Sequence, residues 1–254
     1  MEKKLILISN DDSVNAPGLH YLIDCVKELG EVWAVAPAEQ KSGQSSSLTI
    51  NMPVRIKEYP EYEGARVFSV TGTPVDCVKL AMHTILPRRP DLVLAGINHG
   101  SNAGNAVIYS GTMGAVFEGC MDGIPSIGYS LLDHSMKADF SECRRYIMEL
   151  TAKVLEQGLP EGVCLNVNFP KNVKIEGAKV VRAARSRWTE EYQAYTDPFG
   201  KPFFMLTGRQ INEEEGNPDT DLYWLPRNYA TIVPCNALQN TSDEVVAELR
   251  GKLL

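Results

Sequence analysis

Two neighbouring carboxylates at the end of an apolar run are the first residues whose types and spacing favour chemistry. Asp11 and Asp12 follow the run Leu5–Ser9 almost directly. Side chains of adjacent strand residues point to opposite faces, so the two acids can converge only where the chain leaves the strand. Two acids held together repel unless a cation lies between them, and Mg²⁺ and Mn²⁺ prefer such oxygen ligands. Asp is also a common helix N-cap, so the pair alone leaves a metal site and a structural role open.

Two later segments are rich in glycine, amides and hydroxyls. Asn98 lies in residues 96–104, directly after an apolar run, and its side-chain oxygen would complete a metal site without adding charge. Ser110 and Thr112 lie in residues 109–114, ahead of a helical pattern, where free backbone N–H groups and hydroxyls bind phosphate. Each segment also has an ordinary structural interpretation, because Asn side chains stabilise turns and Ser or Thr caps helices.

Together the segments describe a cation site beside an anion-binding turn, which is the equipment of metal-assisted phosphate-ester hydrolysis. Motifs of rival chemistries are absent from the sequence. It contains no G-x-G-x-x-G after the first predicted strand, no G-x-x-x-x-G-K-[ST] and no G-x-S-x-G. The histidines show no H-E-x-x-H spacing, which argues against a zinc site. Dinucleotide-binding, P-loop and α/β-hydrolase interpretations therefore lose their main support.

The elements that must position these residues alternate between short apolar runs and helical patterns. This alternation predicts an α/β fold, with a mostly parallel sheet covered by helices on both faces. Ligands of such sheets bind beyond the carboxyl ends of the strands, where the Asp pair, Ser42 and Asn98 fall, so we expect one crevice to collect them. The predicted elements are the strand Leu5–Ser9, a helix from Leu19 that ends at Gly30, the strands Val32–Ala36, Val54–Tyr59 and Arg66–Thr71, a helix from Thr73 and Pro74, the strand Asp91–Ile97, the helix Met113–Met121, the strand Ser126–Ser130, the helix Tyr146–Leu155 and the strand Val163–Val167.

Composition excludes several classes of protein. The chain has 254 residues, of which 44% are apolar and 22% charged, as in ordinary globular proteins. A formal net charge of -7 argues against a nucleic-acid polymer as partner. No stretch approaches the ~20 apolar residues of a membrane span. Six cysteines without a C-x-x-C spacing are typical of free thiols in a reducing compartment, so we expect a cytoplasmic protein.

The C-terminal quarter differs in character from the rest. Nine of the twenty aromatic residues fall between Trp188 and Tyr229, mixed with turn residues such as those of 197–200. We interpret this region as an arm that contains a β-hairpin, and either a small aromatic core or an oligomer contact would explain the aromatics. A last helix is predicted from about Ser242 to Leu253.

The polar segments belong to a series of blocks that resembles the SurE (stationary-phase survival) family of nucleotidases. The blocks run in order across nearly the whole chain: Ile8–Asp12, Ala16–Gly18, Val35–Pro37, Ser42–Gly43 with Ser46–Thr49, Gly72–Val78, Gly96–Asn98, Tyr109–Thr112, Leu165–Asn168, Asp197–Pro198 with Gly200, Thr220–Asp221 and Thr231–Pro234.

The resemblance implies a Rossmann-like three-layer core and hydrolysis of nucleoside 5'-monophosphates and often of 3'-monophosphates. It divides the single domain 1–254 into an α/β catalytic core, 1–185, and an oligomerisation arm with the C-terminal segment, 186–254, and it implies a homodimer or homotetramer. It assigns one divalent ion, Mg²⁺ or Mn²⁺, to Asp11, Asp12, Ser42 and Asn98. It assigns the phosphate to Asn102, Ser110, Gly111 and Thr112.

One position departs from the family pattern. The usual glycine after the two aspartates is Ser13 here, which lacks the freedom of glycine to adopt a positive φ. Serine is compatible with this loop if the local φ is negative, so we expect a slightly different loop rather than a lost site. Asn15 and His99 stand where the family varies, and we assign them no role.

The expected mechanism is a single displacement in which Asp11, Asp12 and Asn98 act with the metal, and Asp11 also accepts the proton of the attacking water. A covalent aspartyl-phosphate is the competing chemistry, and it is disfavoured because both acids are committed to the metal. Two other functions remain open. One is an exopolyphosphatase or general phosphatase that uses the same site, and the other is a nucleotide-binding regulatory protein with a weak site.

Overall fold

The computed structural model describes residues 3–238 and 243–253, and its central feature is a nine-stranded mixed sheet. The strands, in chain order, are β1 (Leu5–Ser9), β2 (Glu31–Pro37), β3 (Ile56–Tyr62), β4 (Ala65–Val70), β5 (Leu92–His99), β6 (Ser126–Leu131), β7 (Val163–Phe169), β8 (Gly177–Val180), β9 (Ser186–Thr189), β10 (Tyr192–Thr196), β11 (Pro202–Leu206), β12 (Arg209–Asn212) and β13 (Tyr229–Asn236).

The strand order in the sheet is β3-β4-β2-β1-β5-β6-β7-β13-β8. The six strands from β4 to β7 in this order run parallel to one another. β3 and β13 are antiparallel to their inner neighbours, and β8 is parallel to β13. The expected mostly parallel sheet is confirmed, and β1 and β5 are neighbours at its centre, so their carboxyl ends lie side by side.

Helices cover both faces of the sheet and make three layers. The helices are α1 (Pro17–Val26), α2 (Pro74–Leu80), which continues as a π-helical turn (Ala81–Ile85), α3 (Gly111–Met121), α4 (Arg144–Gln157), α5 (Asp221–Trp224) and α6 (Asp243–Leu253). Strand alternation divides the core between the layers. In β1, Ile6 and Ile8 pack in one cluster with α1 and α4, whereas Leu5 and Leu7 pack in the other with α2 and α3.

Local sequence explains where the helices begin and end. Pro74 lies in the first turn of α2, and Thr73 and Asp76 form a reciprocal capping box ahead of it. The prediction that the first helix ends at Gly30 is wrong, because α1 ends at Val26. Gly30 has a different role, since a Cβ there would lie 2.4 Å from the backbone oxygen of Lys4. The glycine permits the close approach of the chain to the start of β1.

Residues 186–212 form two antiparallel strand pairs within the region 186–254 that was predicted to contain the arm. β10 and β11 make a two-stranded hairpin, and β9 pairs with β12 below it. Large apolar side chains of the hairpin are exposed, among them Tyr192, Phe199 and Phe204. The chain then returns to the main sheet through β13. Of the predicted last helix, Ser242 lies outside the described residues, and α6 begins at Asp243. Among the described helices, none is long and apolar enough to cross a membrane.

Candidate active site

The two acids lie where β1 leaves the sheet, beside the end of β5. Ser9, the last residue of β1, pairs with Ala95 of β5. Asp11 and Asp12 are both buried, with exposed fractions of 3% and 7%. The backbone N–H of His99, at the end of β5, donates to Asp12 Oδ2 at 3.0 Å. The carboxyl ends of these parallel strands therefore bring the acids and the Asn98–His99 segment together, as the sequence predicted.

The loop that carries Ser42 is tied to the same place. The N–H of Lys41 donates to the backbone oxygen of Asp11 at 2.7 Å. Gln40 Nε2 donates to Ser42 Oγ at 3.0 Å and lies 3.5 Å from Asp12 Oδ1. Ser42 itself is exposed. Gln40 thus links Ser42 to Asp12. Gln40 was not predicted as a site residue, and the only feature of the sequence that indicates it is its position two residues before Ser42.

Asp11 is held by the start of α3. Thr112 Oγ1 donates to Asp11 Oδ1 at 2.6 Å. Gly111 packs directly on the carboxylate, because a Cβ at that position would lie 2.8 Å from Asp11 Cβ. Burial, followed by the charge of Asp12, raises the pKa of Asp11 to about 6 against the opposing effect of the Thr112 hydrogen bonds. Without a cation, the fold therefore penalises the second negative charge of this pair.

The donor set fits a hard divalent cation. Both carboxylates are buried, and the electrostatic penalty on Asp11 is one that a cation at this position would remove. Asn98 Nδ2 donates to the Gly100 oxygen at 2.9 Å, and among the described residues no donor reaches Asn98 Oδ1. The described residues contain no cluster of three or more His, Cys, Asp or Glu side chains suited to a metal. The ligand set predicted here contains only two such side chains, Asp11 and Asp12, together with an amide oxygen and a hydroxyl.

The predicted phosphate contacts lie at the N-terminus of α3. Ser110 is the N-cap of this helix, and its Oγ accepts the N–H of Met113 at 3.0 Å. Thr112 is fully buried, and both its hydroxyl and its backbone N–H face Asp11. The phosphate contact of Thr112 stays a prediction, and in the structure its hydroxyl is bound to Asp11. The positive end of the helix still faces the acidic pair.

Asn102, the remaining predicted phosphate contact, belongs to a buried amide network. Its Nδ2 donates to Ser130 Oγ at 2.9 Å, which commits one of its hydrogens to the protein. Asn168 Oδ1 accepts the Asn102 N–H at 2.9 Å, and Asn166 Nδ2 donates to the Asn102 oxygen at 2.8 Å. Sequence analysis assigned no role to these two asparagines. Their spacing of two in a buried strand was the available signal, since it places both on one face.

Two buried polar atoms beside the acids have no partner among the described residues. They are Asn10 Oδ1 and His99 Nε2. Asn10 Nδ2 donates to the Ser13 oxygen at 2.8 Å, and His99 Nδ1 lies 2.9 Å from the Ser135 oxygen. Buried polar atoms are rarely left unpaired, so these atoms mark the crevice as a place where polar ligands or water bind.

Ser13 does not have the negative φ at which serine would be unstrained. Ser13 adopts a φ of 96°, a conformation that favours glycine. Its backbone oxygen accepts the Asn10 side chain and the Ala16 N–H, at 2.8 and 3.1 Å. These bonds, together with the adjoining acids, hold the loop in the conformation that the family glycine would adopt freely. The serine is therefore accommodated with backbone strain and without loss of the site.

Comparison with known proteins shows extensive similarity to one group. The family model described as "Survival protein SurE" matches residues 6–190. A protein of Phocaeicola vulgatus named "5'-nucleotidase SurE" is 48% identical, over 92% of this chain and 91% of its own length. A protein of the same name from Bacteroides thetaiotaomicron is 42% identical, over 98% and 96%. The crystal structure of the SurE protein from Aquifex aeolicus superposes with a TM-score of 0.82 at 34% identity, over 98% of this chain and 99% of that one.

Proposed function

Because the chain belongs to the SurE family, we propose that it hydrolyses nucleoside 5'-monophosphates to nucleoside and phosphate with the help of one Mg²⁺ or Mn²⁺ ion. The observation that carries this proposal is the buried pair Asp11 and Asp12, which faces the N-terminus of α3 at the carboxyl edge of the sheet. Relatives at 42–48% identity bear the name 5'-nucleotidase. We extend the proposal to nucleoside 3'-monophosphates as further substrates.

The cation would be held by Asp11, Asp12, Asn98 and Ser42, because their side chains offer the oxygen ligands that such ions prefer. When bound, a divalent ion supplies Lewis-acid polarisation of a phosphoryl oxygen and eases deprotonation of the attacking water. The chain's own groups fix this arrangement. Thr112 orients Asp11, and the His99 N–H orients Asp12.

The reaction we propose is a single displacement at phosphorus. The oxygen of water forms a bond to phosphorus while the bond between phosphorus and the ribose oxygen breaks. Asp11 accepts a proton of the water, and this proton is passed on to the ribose oxygen, which leaves as the hydroxyl of the nucleoside. The positive end of the α3 dipole lies beside the developing negative charge, where a helix N-terminus is stabilising. An aspartyl-phosphate intermediate is the alternative, and trapping of labelled phosphate on Asp11 or Asp12 would establish it instead.

The test is phosphate release from a panel of nucleoside 5'- and 3'-monophosphates and polyphosphate, with Mg²⁺, Mn²⁺ or EDTA. We expect release from 5'-monophosphates that EDTA abolishes and that Asp11→Asn reduces by at least about a hundredfold. Asp122→Asn is the matched control, since Asp122 is exposed at the far end of α3. Release from polyphosphate alone would favour an exopolyphosphatase. Nucleotide binding without release from any substrate would favour a regulatory protein.

We also propose that residues 186–254 contain the assembly element of a homodimer or homotetramer, with residues 1–185 as the catalytic core. The exposed apolar side chains of the β10–β11 hairpin support this, because monomers rarely expose such a contiguous patch. Light scattering of the wild type and of Phe204→Ser tests it. A smaller particle for the variant is expected, whereas a monomeric wild type would contradict the proposal.

A cytoplasmic location is the last part of the proposal. The cysteines Cys25, Cys77, Cys120, Cys143 and Cys164 are free and buried. Free thiols are the rule in reducing compartments. Cell fractionation with an antibody to the chain tests this, and recovery in the membrane or periplasmic fraction would contradict it.

A further inference from the structure

The segment of residues 102–105 connects β5 to the turn ahead of α3. It lies outside the strands, and Gly104 begins a short 3-10 helix, Gly104–Tyr109. Asn102, Ala103 and Gly104 are buried. Buried backbone N–H and C=O groups must find partners. The partners of this segment therefore decide how firmly it is held between the proposed metal ligand Asn98 and the start of α3.

Part of the segment is held by the core sheet. Asn166 and Asn168 of β7 bind the backbone oxygen and N–H of Asn102, as described above. Asn168 Nδ2 in turn donates to Asn166 Oδ1 at 3.0 Å. This side of the segment is fixed by side chains that are themselves fully buried.

The rest of the segment is held by three side chains at the base of the arm, Ser186, Gln210 and Asp221, which we call the arm root. Gln210 Nε2 donates to the Ala103 oxygen at 2.9 Å, and Asp221 Oδ2 accepts the Gly104 N–H at 2.7 Å. Ser186 Oγ accepts the Asn105 N–H at 2.9 Å and the Gln210 Nε2 at 2.8 Å. The arm root thus forms hydrogen bonds with backbone groups of three consecutive residues, Ala103, Gly104 and Asn105.

The arm root also packs tightly against Gly104. A Cβ on Gly104 would lie 2.7 Å from Ser186 Oγ and 2.9 Å from Gln210 Nε2. Gly104 has a φ of 58°, in the left-handed region. Asp221 is fully buried, and its other oxygen accepts the Ala184 N–H at 2.9 Å. Contact and conformation together leave the segment little room to shift relative to the arm.

We propose that Ser186, Gln210 and Asp221 are positioning residues of the phosphate site, which hold residues 102–105 in place for substrate binding. This inference rests on the proposed nucleotidase function. Asn102, a predicted phosphate contact, begins the segment. The 3-10 helix Gly104–Tyr109 then links the segment directly to Ser110 and Gly111, so a shift of the segment would also move them. The arm therefore contributes to substrate binding within its own chain, separately from any role in assembly.

Gln210→Glu tests the proposal with little change of shape. A carboxylate cannot donate to the Ala103 oxygen, so one hydrogen bond is replaced by repulsion between oxygens. Gln157→Glu is the matched control, because it makes the same change on an exposed residue at the end of α4, away from the arm. Ser186→Ala is a second variant, which removes the acceptor of the Asn105 N–H. Each is compared with the wild type by kcat and KM for a nucleoside 5'-monophosphate with Mn²⁺, and by hydrogen exchange of peptides that cover residues 102–110.

We expect Gln210→Glu and Ser186→Ala to raise KM by about tenfold, since each removes a hydrogen bond that holds the segment. Faster exchange of residues 102–110 should accompany this change, while kcat stays at the wild-type value and Gln157→Glu matches the wild type in all three measurements. A purely structural role would reduce the active fraction and leave KM unchanged, and that result would overturn the proposal. An active wild type with unchanged KM and exchange in both variants would refute this inference alone. A wild type without phosphate release would refute the proposed function, and the inference with it.

Discussion

Replacing Gly111 with Ala measures how closely the start of α3 holds Asp11. The new Cβ would lie 2.8 Å from Asp11 Cβ and 3.0 Å from Asp11 Oδ2. Carbon atoms in contact lie about 3.5–4.0 Å apart, so the Asp11 side chain must move by about 1 Å. A displacement of about 1 Å at a reacting group lowers the rate by about a hundredfold. We therefore expect kcat/KM for nucleoside 5'-monophosphates to fall by about that factor.

The stability of Gly111→Ala should change much less than its activity. Overpacking destabilises by about 1–3 kcal/mol, and the helix propensity of Ala returns up to about 1 kcal/mol. The expected net loss is thus about 1–2 kcal/mol, and at most about 3 kcal/mol, which shifts Tm by no more than roughly 12 °C in a chain of this size. The variant remains folded at the temperature of a phosphate-release assay, so the assay reports the site and not unfolding.

Gly119→Ala is the matched control in the same helix. A Cβ at Gly119 would lie 2.7 Å from Ser126 Oγ and 2.7 Å from Val93 Cγ2, a comparable clash away from the acids. This variant should lose comparable stability and keep kcat/KM within about threefold of the wild type. If Gly111→Ala also stays within threefold, the close contact with Asp11 does not position the carboxylate, and the reasoning fails.

Three further predictions concern stability. Because burial raises the pKa of Asp11 from 3.8 to about 6, ionised Asp11 destabilises the folded state. This destabilisation is complete above pH 6 and fades as pH falls towards 3.8. Relative to Asp11→Asn, metal-free wild type should therefore gain about 2 kcal/mol between pH 7 and pH 4.5 in urea unfolding. Ser13→Gly should stabilise by about 1 kcal/mol, because the φ of 96° is strained for serine; calorimetry showing a lower Tm would contradict this. The pKa of Asp91 is lowered to about 2, despite some burial, by the Leu5 N–H, Arg88 and Lys4. Its stabilisation is present above pH 3.8 and is lost as pH falls towards 2, so Asp91→Asn should cost about 1 kcal/mol at pH 7, a value reduced for solvent screening, and nothing near pH 2.

The sequence was informative about the sheet because the relevant interactions are local. Short apolar runs mark buried strands wherever they fall, and Leu5–Ser9 and Val163–Val167 match β1 and the first part of β7. The acids were found for a related reason, since the end of a parallel strand fixes the position of the residues that follow it. The capping box before α2 likewise lies within four consecutive residues.

Contacts between segments far apart in the chain could not be predicted from patterns in the sequence. Asp221 binds Gly104 across 117 positions, and Gln210 binds Ala103 across 107. No periodicity indicates which backbone group a buried side chain will reach. The φ of Ser13 was also beyond prediction, because residue type favours a negative φ while the surrounding hydrogen bonds select a positive one. The hydrogen bond from Thr112 to Asp11 joins residues 101 positions apart, and no pattern in the sequence indicated it.

The site places a charge where the fold alone does not favour it. Asp11 is buried beside a second carboxylate, and its raised pKa means that ionisation costs more in the folded chain than in water. A hydrogen bond from Thr112 and the N-terminus of α3 offset part of this penalty without removing it. A divalent cation would remove the remainder, so binding of the proposed cation would stabilise the fold. Carboxylates that the fold already holds together, and whose charge is incompletely neutralised, bind a cation more strongly than carboxylates in water. Cation binding thus recovers the free energy that burial of the two acids costs.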